Sequence, residues 1–408
     1  MRFFAACIAA VQFTALATAR ELLEPVPVLV DGKPLDVEQM GHAAPFVGDF
    51  DRDGLKDLLV GEFYKGRLRI YRNIGTNKEP QFGDFTLFQN GKRSGCIHSS
   101  CCMGFAPQVV DFDGDGQEDV LSGNWIFEVI LFRGLGNGAF AAGEAVESRD
   151  GRSINIGYGV TPFAVDWDSD GDLDILAGTV EHEGGNVYLV RNEGRRSRYE
   201  YGKPEKLLAG GAPIEATDGG AAPVAADWDQ DGKLDLILGC GDGSVRWYRN
   251  GGSSGIPELS TFAVLVQPAQ KGDERGHRSK PCVVDWNEDG RLDLLVGDVG
   301  ERFEKELSDE EEAWREQARN QQASFLKDWS RVFSRYRSLM ATTSSTNQVS
   351  PVKDSEEITL AREEMARLNA VRKQYYEEAE SLKPGTHTHG RVWLFLRAGL
   401  EADAVAVD

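Results

Sequence analysis

Apolar positions along most of this chain come in short runs, often alternating with polar ones and broken by Gly, Pro, Asn or Asp, which predicts many short strands. One unit recurs five times in register: an apolar run opened by proline, an Asp-rich loop, and a Leu/Ile/Val run closed by glycine. The copies are PFVGDFDRDGLKDLLVG from Pro45, PQVVDFDGDGQEDVLSG from Pro107, PFAVDWDSDGDLDILAG from Pro162, PVAADWDQDGKLDLILG from Pro223 and PCVVDWNEDGRLDLLVG from Pro281. Their loops, at 49–57, 111–119, 166–174, 227–235 and 285–293, start 62, 55, 61 and 58 residues apart. That spacing is the length of one four-stranded propeller blade. A third alternating strand follows at 67–73, 128–133, 186–192 and 244–250, and a more variable fourth strand completes each period.

The fifth copy is interrupted. After Gly297 a helical pattern fills 301–389, and the third strand arrives only at 390–397. The insertion opens with the capping box Ser308-Asp-Glu-Glu311. Phe325, Trp329, Val332, Tyr336 and Leu339 form one helical stripe, and Ala361, Met365, Leu368, Tyr375, Ala379 and Leu382 form a matching one. Together they predict an antiparallel helical hairpin within the last blade. Too little chain follows 397 for a fourth strand, whereas 26–30 has no blade of its own, so the N-terminal strand is expected to close the ring. The fold class is therefore all-β: a five-bladed β-propeller over residues 20–408 with a helical-hairpin insertion in its last blade.

Arg2, the apolar stretch after it and the small residues at 17–19 predict a secretory signal over 1–19, hence a secreted, periplasmic or cell-surface protein. No later stretch is apolar enough to span a bilayer as a helix. The net charge of −21 argues against a nucleic-acid partner. Five cysteines remain after the signal, Cys96, Cys101, Cys102, Cys240 and Cys282, which permits at most two disulfides within the chain.

The five D-[FW]-[DN]-x-D-G-x-x-D loops, the Arg-Asn-x-Gly turns at Arg72, Arg191 and Arg249, and Gly134-Leu-Gly-Asn-Gly-Ala-Phe140 resemble the FG-GAP or VCBS repeats of extracellular propellers. That group includes the head of integrin α chains, where seven blades are usual; five are counted here. Each loop also reads as a calcium site on its own chemistry. Calcium takes six to eight oxygens, Asp at alternate positions supplies them, and Gly at position six permits the turn. The expected side-chain ligands are Asp49, Asp51, Asp53 and Asp57; Asp111, Asp113, Asp115 and Asp119; Asp166, Asp168, Asp170 and Asp174; Asp227, Asp229, Asp231 and Asp235; and Asp285, Asn287, Asp289 and Asp293. Up to five structural calcium ions are expected, the weakest at the Asn287 loop. The bland alternative is ordinary Asp-Gly turns, but four carboxylates within nine residues repel one another unless a cation offsets the charge.

In an up-and-down blade the calcium loops share one face. The second-to-third-strand loops and the links between blades share the other. That second face is expected to carry all six histidines, with His42, Trp125, Tyr158, His182, His277, Arg278 and Lys280 as ligand candidates. The alternative is that these loops are simply polar, and no CxxC, HExxH or GxSxG pattern nominates a reaction. Two functions remain: a non-catalytic binding or adhesion scaffold for an extracellular glycan or protein, favoured, or a polysaccharide lyase-like enzyme. A lyase would draw its base from His42, Tyr158, His277, Arg278 or Lys280.

Overall fold

The computed structural model describes residues 21–398 except 38–40, 64–65, 91–92, 95–105, 125–127, 155, 158, 181–184, 254, 271, 304–307 and most of 311–385. The secretory signal expected at 1–19 lies outside the described residues.

Five antiparallel blades follow the five sequence units. Blade one is Ala44–Gly48, Asp57–Gly61, Leu68–Tyr71 and Thr86–Leu87. Blade two is Gln108–Val110, Asp119–Gly123, Val129–Phe132 and Glu144–Ala145. Thr161–Val165, Asp174–Gly178, Gly185–Val190 and Glu205–Lys206 form blade three, and Ala222–Ala226, Asp235–Gly239, Val245–Tyr248 and Ala263–Val266 form blade four. Blade five takes His277–Val284, Asp293–Phe303 and Val392–Phe395 from the end of the chain and Val26–Pro27 from its beginning. Val26 pairs with Leu394 and Pro27 with Trp393, as expected for N-terminal closure. The closing strand is shorter than the expected 26–30, because Leu29–Val30 turns back to pair with Lys33–Pro34.

The second strand of blades one to four is buried at every position, which explains why its sequence is an unbroken apolar run. Successive side chains on a strand point to opposite faces, so each second strand feeds two cores. Leu58 packs toward blade five and Leu59 toward blade two. Val120 and Leu121, Ile175 and Leu176, Leu236 and Ile237, and Leu294 and Leu295 divide in the same way. The result is five inter-blade cores arranged in a ring.

The glycine that closes the apolar run of the second strand in blades two to five has a steric cause. A Cβ added to Gly123, Gly178, Gly239 or Gly297 would lie 2.0, 2.1, 2.2 or 2.1 Å from a carbonyl oxygen of the next blade, that of Val160, Ala221, Ser279 or Ala43. Only glycine lets the neighbouring backbones approach so closely.

The insertion leaves the ring as a β-ribbon before any helix forms. The second strand of blade five runs on to Phe303 and pairs with Thr386–His389, so the first and last residues of the 301–389 segment are strands. Helical residues follow immediately after Ser308, and 357–364 form the longest described helical run, with Ile358 and Ala361 buried; Glu311 of the expected capping box lies outside the described residues. The packing of one expected helix on the other lies outside the described residues. No helix among the described residues is long and apolar enough to cross a membrane.

Candidate functional site

The five Asp loops share one backbone shape. Position four is left-handed in each, at Arg52, Gly114, Ser169, Gln230 and Glu288, with φ of 63°, 75°, 61°, 58° and 54°. Position six is glycine with φ from 83° to 95°. In the first, third, fourth and fifth loops the position-one carboxylate accepts the N–H groups of positions five and six, as in Asp53 N to Asp49 Oδ1 at 3.0 Å and Gly54 N to Asp49 Oδ2 at 2.9 Å. This curls the loop so that positions one, three and five converge. In loops one to four each such triad offers carboxylate oxygens within 4.8 Å of one another: Asp49, Asp51 and Asp53; Asp111, Asp113 and Asp115; Asp166, Asp168 and Asp170; Asp227, Asp229 and Asp231. The fifth loop has Asn287 at position three, and its amide nitrogen donates to Asp289 Oδ2 at 3.3 Å.

Position nine has an additional task. Asp57, Asp119, Asp174, Asp235 and Asp293 are buried, and each accepts a backbone N–H just past the third strand: Asn73, Gly134, Asn192, Asn250 and Arg397 at 2.7–2.9 Å. Burial raises the pKa of all five, Asp119 to about 6 and Asp174 to about 7, against the lowering effect of those N–H bonds.

A further group was present in the sequence but not recognised as part of the loops. The arginine ending the third strand pairs with the position-three Asp: Arg72 with Asp51 at 2.9 Å, Arg191 with Asp168 at 2.8 Å, Arg133 with Asp113 and Arg249 with Asp229. Its repetition at the end of the third strand, followed by asparagine at Arg72, Arg191 and Arg249 and by glycine at Arg133, was the available signal. In blade five Arg397 instead bonds Glu21 and the Trp228 carbonyl, and Arg291 pairs with Asp289 at 2.6 Å.

These loops fit a hard divalent cation. Asp111 Oδ1, Asp113 Oδ1, Asp168 Oδ1, Asp174 Oδ2 and Asp229 Oδ1 are buried carboxylate oxygens with no hydrogen-bond donor. Buried acceptors without donors are costly, and a cation coordinated among all-oxygen ligands satisfies them. The residues that would hold it are the converging triads, with position nine bordering them.

Across the disc the segments around His42, His277 and His389 meet. His277 pairs with Val299, and a Cβ on Gly41 would lie 2.7 Å from Val299 Cγ2 and 2.3 Å from the His389 carbonyl oxygen. Arg278 has a φ of 57° and sits in a bulge between His277 and Lys280. Bulges of this kind re-aim side chains. His42 stacks on Phe63 with ring centroids 4.6 Å apart. Burial, then the nearby charges of Arg278 and Lys280, hold its pKa well below the usual value, so its imidazole is neutral at pH 7. Thus His42, His277, Arg278 and Lys280 are brought to one region, at the seam of blades five and one. Trp125, Tyr158 and His182 lie outside the described residues, as do His98, Cys96, Cys101 and Cys102. Cys240 and Cys282 are buried free thiols.

Sequence reasoning missed Asp298 on this side. Its buried carboxylate accepts Gly276 N at 2.6 Å, Arg391 N at 2.9 Å and Trp393 Nε1 at 2.8 Å, tying the link into blade five to its third strand.

A five-bladed β-propeller with Asp-rich inter-strand loops is thus the class that fold and loops define. A model of the FG-GAP-like repeat matches residues 49–122, 111–177, 166–238 and 227–296, which together span more than half the chain. The chain belongs to the FG-GAP-like repeat family. Among curated proteins it is similar to cartilage acidic protein 1 of Xenopus tropicalis, 30% identical over 141 residues, and of Mus musculus, 27% identical over 151 residues. Each match covers 34% of this chain and 21% of the relative, so the chain spans about a fifth of the length of those proteins. Similar solved structures include an Agrocybe aegerita lectin that recognises non-reducing terminal N-acetylglucosamine, at 18% identity and TM-score 0.34 over 64% of this chain and 63% of that one. Another is a GH43_1 enzyme of Xanthomonas citri complexed with xylose, at 13% identity and TM-score 0.40 over 64% and 85%.

Proposed function

We propose that this protein is an exported, calcium-stabilised propeller that acts as a binding scaffold for a glycan or protein, with calcium in the Asp loops and the ligand on the opposite face. The observation that carries the reading is the division of chemistry between the two faces. The loop carboxylates are turned on one another and on the backbone, whereas His42, His277, Arg278 and Lys280 gather at the far mouth of the ring around a bulged strand. Loops from several blades converge at such a mouth, which suits recognition.

The test is binding to glycan and extracellular-protein arrays by the parent chain, by His277→Ala with Arg278→Gly, and by Asp231→Asn. Arg278→Gly keeps the left-handed backbone and removes only the side chain. The reading expects a hit that the far-face variant loses and Asp231→Asn keeps. A hit lost in Asp231→Asn and kept by the far-face variant would overturn it. Release of unsaturated products from polyuronides, followed by ultraviolet absorbance, would instead support lyase chemistry from the His42 cluster.

A further inference from the structure

A cavity of about 220 Å³ lies on the ring axis, lined by the first strands of all five blades. Its wall is nearly symmetric and carries few polar side chains. Pro45, Pro107, Pro162, Pro223 and Pro281 all line it, and the residue before each is Ala44, Ala106, Thr161, Ala222 or Lys280. The symmetry is therefore broken at two positions, and the two side chains touch: Lys280 Nζ donates to Thr161 Oγ1 at 2.7 Å. Blades three and five are not neighbours in the ring, so the lysine reaches across the axis.

An ammonium group has three donors and no acceptor, and Thr161 takes one of the three. The other polar amide on the wall, Gln108, is already closed on Ala164, accepting its N–H at 2.6 Å and donating to its carbonyl at 2.8 Å. Among the described lining residues none is a carboxylate. A cation in such a wall is costly unless an anion joins it. Burial, and then Arg278, push the Lys280 pKa down to about 7, which is the same cost seen from the amine.

We propose that the axial cavity binds a small aliphatic monocarboxylate, its carboxylate held by Lys280 Nζ and Thr161 Oγ1 and its alkyl tail laid against the proline ring. One negative charge matches the one lysine on the wall. Thr161 accepts from the ammonium and still has its own O–H to donate to the carboxylate. The volume is well above the roughly 10–15 Å³ that one water needs, so a chain of a few carbons fits. Lys280 also borders the far-face cluster, but the occupant is different and the proposal does not depend on that surface.

The experiment is calorimetric titration of the full chain with butyrate, using butyramide as the neutral analogue of the same shape. Butyrate is expected to bind one site at least about tenfold more tightly than butyramide, since a hydrogen-bonded charge pair is worth roughly 1.5–3 kcal/mol. Lys280→Ala is expected to lose the preference and to keep the fold, because alanine occupies the same position in blades one, two and four. Thr161→Val should weaken butyrate while sparing butyramide. Equal binding of butyrate and butyramide by the parent chain, or unchanged butyrate binding in Lys280→Ala, overturns the proposal.

Discussion

Gly178 shows how a single side-chain choice supports the ring. Its Cα faces the Ala221 carbonyl, and any Cβ would sit 2.1 Å from that oxygen. Gly178→Ala must therefore push blade four away from blade three. Overpacking of this kind costs about 1–3 kcal/mol, and the backbone on the far side cannot rotate away as a side chain would. Urea denaturation should show an unfolding free energy lower by that amount, whereas Gly232→Ala, which has open space around its added Cβ, should pay only for its positive φ of 86°. The glycines were visible as the repeated end of each unit, but what they face was not. A sequence records that a position is small, and only the neighbouring blade explains why.

The loop is the element at which charge enters the account. At about a hundredfold excess of calcium over its dissociation constant, an ion in each proposed site would add about 2.7 kcal/mol to the folded state, so chelation should lower the melting temperature markedly. The fifth loop, with neutral Asn287, should release its ion first in a calcium titration; Asn287→Asp should raise its affinity. The pH dependence follows from position nine. Asp174 has a folded pKa of about 7 against an ordinary 3.8, so the folded, metal-free loop holds this proton more tightly than the unfolded chain does. For this group the metal-free fold is therefore favoured below that pH and loses stability as pH rises through about 4 to 7. A cation compensates the ionised carboxylate, so the calcium-dependent rise in melting temperature should be larger at about pH 8 than at about pH 5.5. A rise of equal size at both would remove the buried carboxylate from the account. The convergence of the loop carboxylates was legible because Asp at alternate positions with Gly at six curls the chain around them. The roles of Arg72, Arg133, Arg191 and Arg249 were not, since pairing across a blade depends on strand register that spacing alone does not give.

At the scale of the whole molecule the ring closes on itself through Val26–Pro27, with Val28 N also bonded to the Val392 carbonyl at 2.8 Å. Removing residues 21–30 should leave the third strand of blade five as an open edge. The expected result is a lower melting temperature and concentration-dependent scattering; a truncated chain that stays monomeric and melts like its parent would contradict the closure. Blade number, blade order and this closure were readable because five copies in register leave one strand missing at one end and one unassigned at the other. The axial cavity was not readable. Lys280 looked like a surface residue beside Arg278, and nothing in its neighbours along the chain signals that Thr161 lies across the ring.

The closing strand also sets the order in which the protein can be made. Blades one to four can each form as soon as their own residues emerge from the ribosome, because their strands are consecutive. Blade five cannot, since its first-made strand must wait for partners at Val392–Phe395, synthesised last. Contacts this distant in sequence form slowly. The nascent chain therefore holds an unfinished ring until its final strand arrives, and the 301–389 segment lengthens that wait.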